Sequence, residues 1–336
     1  MPGVVASQVT FRRSLLRWYG ENARKLPWRD VPNPWRILVS EIMLQQTRVE
    51  AALPYYDRFL QRFPDARSFA SASEPEVLAI WSGLGYYARA RNLQRAARLI
   101  ETSFPSDFGF IRALPGVGPY TAAAVASIGF GLPHAAVDGN VLRVLARVTG
   151  DEGDIADSAP RQRIAGLAEE LLDRARPGEF NQAMMELGAT FCVPMNPRCL
   201  VCPVALHCEA RKQGRQNELP VKRPKGAPTA IECAVIIIRR RDRVLLKQRP
   251  ADSARMAGFW ELPAPEDAPG VPVLREAGEF QHTIVNTRYR VRVLVAAPVR
   301  IVHLASAAAG AQWVPQDELE HIPLTTITRK ALRHIS

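Results

Sequence analysis

Apolar residues recur at helical spacing from the N-terminus to about residue 212. Val141, Val144, Leu145 and Val148, for example, follow the i, i+3, i+4, i+7 template of a helix with one buried stripe, and Arg143 and Arg147 fall on the opposite face. Asn33-Pro34 opens another such stretch, WRILVSEIMLQQT, with an Asn suited to cap a helix and a Pro suited to its first turn. Residues 1–212 are therefore expected to be all helical. Residues 213–230, QGRQNELPVKRPKGAPTA, are polar, basic and proline-rich without periodicity, which reads as a linker. Beyond it, AVIIIRRRDRVLLKQR places two β-prone runs around an Arg-Arg-Asp turn, VRVLVAAPVRIVHL supplies further strands, and Pro323 to Ile335 reads as a short terminal helix. The fold class is multidomain: an all-helical region followed, over 231–336, by a mixed α and β domain.

Composition supports two folded domains. The 336 residues are 47% hydrophobic and 23% charged, which excludes a disordered chain. The longest uncharged run, Ala113 to Val137, is broken by Pro115, Pro119, Pro133 and four glycines, so it reads as a turn and a buried Ala-rich helix rather than a membrane span. No basic patch leads into an apolar core at the N-terminus, and the expectation is a cytoplasmic protein in a reducing compartment, without disulfides. Lys and Arg exceed Asp and Glu by 44 to 33, a net charge of +11 that suits a polyanionic partner such as nucleic acid.

Four of the five cysteines, Cys192, Cys199, Cys202 and Cys208, form a C-x6-C-x2-C-x5-C array. Four thiolates in one loop suffice to hold a metal centre, and spacing alone leaves an iron–sulfur cluster and a structural zinc both open. Cys233 lies on an expected strand and reads as a core residue; His207 lies inside the loop, where four thiols already complete a ligand set.

Leu114-Pro115-Gly116-Val117-Gly118-Pro119-Tyr120 separates two helical stretches. Its glycines permit a tight turn with outward N–H groups, and Pro119 suits the start of the next helix, an arrangement that can hold a DNA phosphate without reading sequence. It also fits an ordinary turn between packed helices. Glu41 has Ile37, Leu38, Leu44 and Gln45 as its helical neighbours and should face inward, where burial disfavours its charge. Asp138 precedes Gly139-Asn140 and the stripe described above; an Asp there is a helix cap, and a helix N-terminus favours its anion. A neutral carboxyl paired with an ionised one is what cleavage of a glycosidic bond requires, although a structural ion pair at Glu41 and a simple cap at Asp138 satisfy the same patterns.

The cysteine array and the hairpin resemble those of helix-hairpin-helix DNA glycosylases related to endonuclease III. SEIMLQQT, GLGYYARARN, LPGVGPYTA, VDGNVLRVLAR and FNQAMMELGA extend the resemblance to adenine DNA glycosylases of the MutY family over nearly all of residues 10–210. It implies a 4Fe-4S cluster on Cys192, Cys199, Cys202 and Cys208, and double-stranded DNA with a mispaired adenine as partner. Glu41 would protonate the leaving adenine and Asp138 stabilise the sugar cation, with Tyr120 and Asn140 orienting them. Trp28 and Gln182 would line the adenine pocket. Gln46 and Tyr86 would wedge into the duplex, with Thr47 and Leu84 beside the opposite base, while Gly116, Val117 and Gly118 grip the backbone. Without the family, Tyr86, Tyr87 and Trp81 read as core aromatics, and Gln45 and Gln46 as surface residues.

Tyr120 stands where lyase-active relatives carry a lysine, and a tyrosine cannot form a Schiff base, so the resemblance implies hydrolysis alone. Lys25 and other lysines are not marked out for that chemistry. The same family appends a Nudix-like domain that recognises 8-oxoguanine, and GFWELP at Gly258 to Pro263 resembles its loop. A working Nudix hydrolase needs a Glu-rich helix to hold Mg2+, and around Arg275-Glu276-Ala277-Gly278-Glu279 only a fragment of that motif survives, so pyrophosphatase activity is not expected. The Phe-Ser-His usual in the lesion-reading loop is replaced by Ile284-Val285-Asn286. The chain is expected to act as a monomeric, monofunctional glycosylase on adenine opposite 8-oxoguanine or guanine. A same-scaffold enzyme for thymine or uracil opposite guanine, and a non-catalytic iron–sulfur DNA-binding protein, are the alternatives.

Overall fold

Caps legible in the sequence start the helices that matter most. Asn33 Oδ1 accepts from the N–H of Arg36, so the helix begins at Pro34, and Asp138 Oδ1 accepts from Val141, so the next long apolar stripe begins at Gly139. The computed structural model describes residues 8–29, 33–100, 102–223, 229–250, 252–253, 256–284, 286–297, 310–320 and 322–334. The chain divides into two units, one ending at Arg223 and the other starting at Pro224.

The first unit is helical among its described residues: α1 (Gln8–Asn22), α2 (Pro34–Leu44), α3 (Val49–Arg62), α4 (Ala66–Ala70), α5 (Glu74–Trp81), α6 (Ala88–Ile100), α7 (Phe108–Ala113), α8 (Pro119–Ala124), α9 (Gly139–Thr149), α10 (Ser158–Leu171), α11 (Pro177–Thr190) and α12 (Glu209–Lys212). One core joins α1, α9, α10 and α11 through Phe11, Leu15, Leu145, Leu171, Phe180 and Leu187. A second core is aromatic, with Trp35, Phe59, Phe69 and Trp81 in edge or tilted ring contacts. Between them α8 continues into a π-helical turn, Val125–Gly129, that packs on both α2 and α11. Gly178 of α11 makes that approach possible, since a Cβ there would lie 2.7 Å from the carbonyl oxygen of Ser127.

Two expectations need correction. Arg143 and Arg147 do not face water: Arg147 is only 2% exposed. Its Nε donates to Leu219 O (2.7 Å) and its terminal nitrogens to Val193 O (2.7 Å) and Pro194 O (2.8 Å). A helical wheel assigns a charge to solvent, but here the chain after α11 wraps over that face and presents carbonyls to the guanidinium. The linker likewise begins later than residue 213. Leu219 is buried at 1% exposure, and the N–H of Ile155 donates to Val221 O (3.0 Å), so residues 213–223 belong to the helical unit although their composition is polar.

The second unit holds two sheets. In one, β1 (Thr229–Ile237) pairs parallel with β6 (Thr287–Ala296), which pairs antiparallel with β5 (Val273–Ile284). In the other, β3 (Arg243–Gln248) pairs with β2 (Arg239–Arg240), β4 (Trp260–Glu261) and β7 (Ala311–Pro315). The expected Arg-Arg-Asp turn closes the β2–β3 hairpin, with Arg241 at φ 54°. Alternate residues feed two cores: Val235, Ile237, Val244 and Leu246 on one side, Ile236, Ile238 and Leu245 on the other. Cys233 packs against the first, as a core residue would. The terminal helix, α13 (Thr326–Leu332), is capped by Thr325; Pro298 to Leu304 of the expected later strands lie outside the described residues. Arg275 to Glu279, the fragment of the cation-binding motif, lie in strand β5.

Leu219→Ala checks the placement of residues 213–223. Truncating a fully buried leucine should cost about 2–4 kcal/mol in chemical denaturation of the whole chain, where a linker position would cost roughly 0.5 kcal/mol or less.

Candidate active site and cysteine loop

Glu41 lies mid-way along α2 and is 6% exposed. Burial, followed by the nearby Asp138 charge, pushes its carboxyl up to about 7, against the opposing pull of the Tyr120 hydroxyl and the more distant Arg29. Tyr120, in the first turn of α8, donates to Met185 Sδ (3.0 Å) while facing Glu41. Its own phenol is held far above the ordinary range by burial and by the two carboxyls, so it is a proton donor and not an anion.

Asp138 caps α9. Val141 N–H donates to Oδ1 (2.7 Å) and Asn140 Nδ2 to Oδ2 (2.9 Å). A helix start favours the anion, and these donors pull the carboxyl that way. Burial outweighs them and raises Asp138, though the donors and Arg143 pull the other way. The two carboxyls therefore differ in their donors more than in their burial: Glu41 meets a single hydroxyl, whereas Asp138 meets a backbone N–H and an amide.

Asn140 is positioned in turn. Its Oδ1 accepts from Arg143 Nη2 (2.7 Å), which also donates to Gly188 O (2.8 Å), and Arg143 Nε donates to Cys192 O (2.7 Å). A hydrogen-bonded path thus runs from Asp138 to the first cysteine. Gly188 admits this packing because a Cβ there would come within 2.6 Å of the Asn140 Cβ.

Gln182, Met185 and Glu186 share one face of α11. Gln182 Oε1 accepts from the Tyr19 hydroxyl (3.4 Å). Glu186, 1% exposed, accepts from Arg24 Nε (2.6 Å), Arg24 Nη2 (2.9 Å) and Arg29 Nη2 (2.8 Å). That anchor fixes the segment carrying Trp28, whose ring stands edge-on to Tyr56 at 5.1 Å. No spacing in the sequence marks Glu186, Arg24 or Arg29, and Arg143 is marked there only as a charge opposite the apolar stripe of α9. Buried arginines whose partners are distant in the chain leave no local spacing to read.

Gln46 and Tyr86 are exposed, and both adopt left-handed backbone with φ 58° and 49°, a conformation that neither residue favours. Tyr86 is 60% exposed while Tyr87 and Trp81 are buried, so the core reading holds for two of those three aromatics. Thr47 is half-buried and Leu84 buried. In the hairpin, Gly116 takes φ 79° and Gly118 caps α8 without a side chain. Val117 departs from the outward-pointing expectation: its side chain is buried and its N–H donates to Leu114 O (3.1 Å) within the turn.

The four loop cysteines line one cavity together with Val144, Arg147, Leu187 and Phe191. All are free thiols. No three His, Cys, Asp or Glu among the described residues are gathered closely enough for a single metal ion. Arg198 is exposed. His207 packs edge-on against Phe11 (5.9 Å), and burial and Lys212 lower its pKa, so it is not a loop cation. In the second unit Ile284 pairs with Thr287 across the β5–β6 turn, where Asn286 is exposed and its carbonyl accepts from Thr229 N–H (3.0 Å); Val285 lies outside the described residues. Glu276 and Glu279 are paired with Arg292 and Arg290. No described helix is long and apolar enough to cross a membrane.

Residues 39–170 match the model of the HhH-GPD superfamily of base excision DNA repair proteins, and residues 233–334 that of the NUDIX domain. The chain is 34% identical to the adenine DNA glycosylase of Homo sapiens, over 98% of this chain and 74% of that one. It is 36% identical to the adenine DNA glycosylase of Buchnera aphidicola (subsp. Acyrthosiphon pisum), over 68% and 67%. Among solved structures, a thermostable thymine-DNA glycosylase is 28% identical with a TM-score of 0.56, covering 61% of this chain and 97% of that one.

The Glu41 carboxyl gives a test of stability against pH. Its folded pKa of about 7 stands above the unfolded value of 4.5. The stability it allows is therefore complete below pH 4.5 and is lost as pH rises through about 7, at roughly 1.4 kcal/mol per unit. Glu41→Gln, which cannot ionise, should gain about 3 kcal/mol relative to the parent between pH 4.5 and 8 in denaturant titrations.

Proposed function

The chain belongs to the family of adenine DNA glycosylases, and from that premise we propose that it hydrolyses the N-glycosidic bond of adenine mispaired with 8-oxoguanine or guanine, without cutting the strand. The observation that carries the reading is the pairing of a buried carboxyl near its midpoint at neutral pH, Glu41, with a carboxyl supplied with hydrogen-bond donors, Asp138.

Protonated Glu41 gives its proton to the departing adenine ring as the C1′–N9 bond breaks, so that the base leaves neutral. Positive charge then develops on the sugar, and the Asp138 carboxylate stabilises it or adds to it before water completes the hydrolysis. Tyr120 holds the Glu41 carboxyl, and Asn140 holds Asp138. Trp28 and Gln182 frame the base, with Glu186 and its arginines fixing the wall behind them. Gln46 and Tyr86 fill the gap left by the extruded adenine, which otherwise costs a few kcal/mol of unstacking. Thr47 and Leu84 lie toward the opposite base. The N–H groups of Gly116 and Gly118 and the start of α8 receive a phosphate; the spent N–H of Val117 limits that residue to shaping the turn. In the second unit, Asn286 beside Ile284 offers an amide that would hydrogen-bond a lesion in place of a Ser hydroxyl and His ring.

Cys192, Cys199, Cys202 and Cys208 are suited to a 4Fe-4S cluster. They line one cavity, and four thiols supply the complete ligand set that such a cluster takes. Those four thiolates would hold the cluster, and the bonds to iron would tie the loop together. The working form is a monomer in the cytoplasm, acting on double-stranded DNA.

Excision should be read on adenine opposite 8-oxoguanine with and without alkali. Nicking only after alkali is expected, and Glu41→Gln and Asp138→Asn should each lower excision by about 10³-fold or more while leaving duplex affinity nearly unchanged. Unchanged turnover in both variants, or alkali-independent nicking, overturns the assignment; preferred excision of thymine or uracil opposite guanine supports the second substrate reading. The purified protein should be brown with broad absorbance near 400 nm. A colourless protein with stoichiometric zinc refutes the cluster.

A further inference from the structure

Arg89, in the first turn of α6, is a buried cation that the chemistry above does not use. It is 8% exposed, and no carboxylate pairs with it among the described residues. Its acceptors are backbone carbonyls and one hydroxyl, and they come from two separate segments. Nη1 donates to Ile42 O (3.1 Å), Met43 O (2.8 Å), Gln45 O and Thr47 Oγ1 (3.2 Å), all at the C-terminal end of α2. Nη2 donates to Leu84 O (3.2 Å) and Gly85 O (3.2 Å) in the loop before α6. The first set is the group of carbonyls that a helix end leaves without N–H partners, and the helix dipole adds to their attraction for a cation.

Each of these segments carries an exposed residue in left-handed backbone, Gln46 in one and Tyr86 in the other. Gly83 and Gly85 precede Tyr86 with φ 96° and 73°, and two backbone bonds, Leu84 N–H to Trp81 O (3.1 Å) and Arg89 N–H to Tyr86 O (2.8 Å), do not by themselves tie the loop to α2. What fixes it is the arginine and its neighbours: the Tyr86 ring lies over the guanidinium at 5.2 Å, the Trp81 ring at 5.7 Å, and Trp81 Nε1 donates to Gly85 O (3.0 Å).

We propose that Arg89 is a positioning residue that clamps the Gln46 and Tyr86 tips into one preformed wedge, so that their strained backbone is ordered when the protein folds and not when it meets the duplex. This rests on the reading of Gln46 and Tyr86 as the residues that enter the helix. A planar fork with separate nitrogens is needed to hold two segments at once, and a lysine ammonium offers one point.

The test compares the full-length parent with Arg89→Lys, Gln46→Ala and Tyr86→Ala. The probe is a duplex carrying adenine opposite 8-oxoguanine and 2-aminopurine beside the mismatch. Arg89→Lys should bind within threefold of the parent, lose most of the fluorescence rise that reports unstacking, and excise adenine at least tenfold more slowly, with the pH midpoint of excision unmoved. Retention of both the rise and the rate overturns the clamp. A shifted pH midpoint also overturns it, because the arginine would then act through α2 and Glu41. If Gln46→Ala and Tyr86→Ala both keep the full rise, the wedge reading fails first, whatever Arg89→Lys does, and the clamp falls with it. Should Arg89→Lys not melt cooperatively, hydrogen exchange of the parent decides. The Thr47 and Leu84 amides should exchange as slowly as those inside α2, and exchange at free-peptide rates ends the proposal.

Discussion

Exclusion of water from one carboxyl is the constraint on which the helical unit is organised. Glu41 can hold a proton near neutral pH only because α2 is buried on nearly every side: Trp35, Ile37, Leu38, Val39, Ile42 and Met43 are all in the core. Had α2 been an ordinary surface helix, the same residue would be an anion and no acid. The second carboxyl is set apart by construction and not by exposure. Asp138 stands at a helix start, where a backbone N–H and the Asn140 amide already point at it. Two carboxyls in one site would otherwise resist ionising together; here burial raises both, and the donors at Asp138 offset part of that rise, which leaves Glu41 as the one that keeps its proton longer.

Buried arginines bound to carbonyls hold this arrangement. Arg143 ties Asn140 to α11 and the cysteine loop, Arg147 gathers the chain on both sides of that loop, and Arg89 joins the end of α2 to the loop before α6. A desolvated guanidinium is costly unless its donors are satisfied. Satisfying them requires several carbonyls at fixed positions, so each arginine makes irregular backbone definite, even where, as at Arg89, the terminal nitrogens are bonded and the buried Nε is not. This is why loops that carry the cysteines, and the strained tips at Gln46 and Tyr86, need no regular hydrogen-bond ladder of their own.

What could be read from the sequence was whatever is encoded locally. The Asn33-Pro34 and Asp138 caps, the inward face at Glu41, the turn at Gly116 and the hairpin at Arg241-Asp242 follow from neighbours a few positions apart. What was missed depends on contacts across the chain. Arg147 looks like a solvent-facing charge until Leu219, 72 positions away, presents its carbonyl. Residues 213–223 look like a tether until that same leucine is buried. Glu186 sits in FNQAMMELGA, yet nothing near it in the sequence announces that Arg24 and Arg29 will enclose it.

The second unit carries the same lesson about element type. Two glutamates close in sequence would meet a cation from one face if Arg275 to Glu279 were helical. In a strand interrupted by a bulge between Glu276 and Gly278, they are displayed along an exposed sheet surface, each facing an arginine of β6. Such exposed pairs stabilise little, but they give the carboxylates a partner and leave no focus of negative charge for a divalent ion. Among the described residues, the second unit is therefore two sheets with their cores in place and an acidic segment spent on pairing with β6.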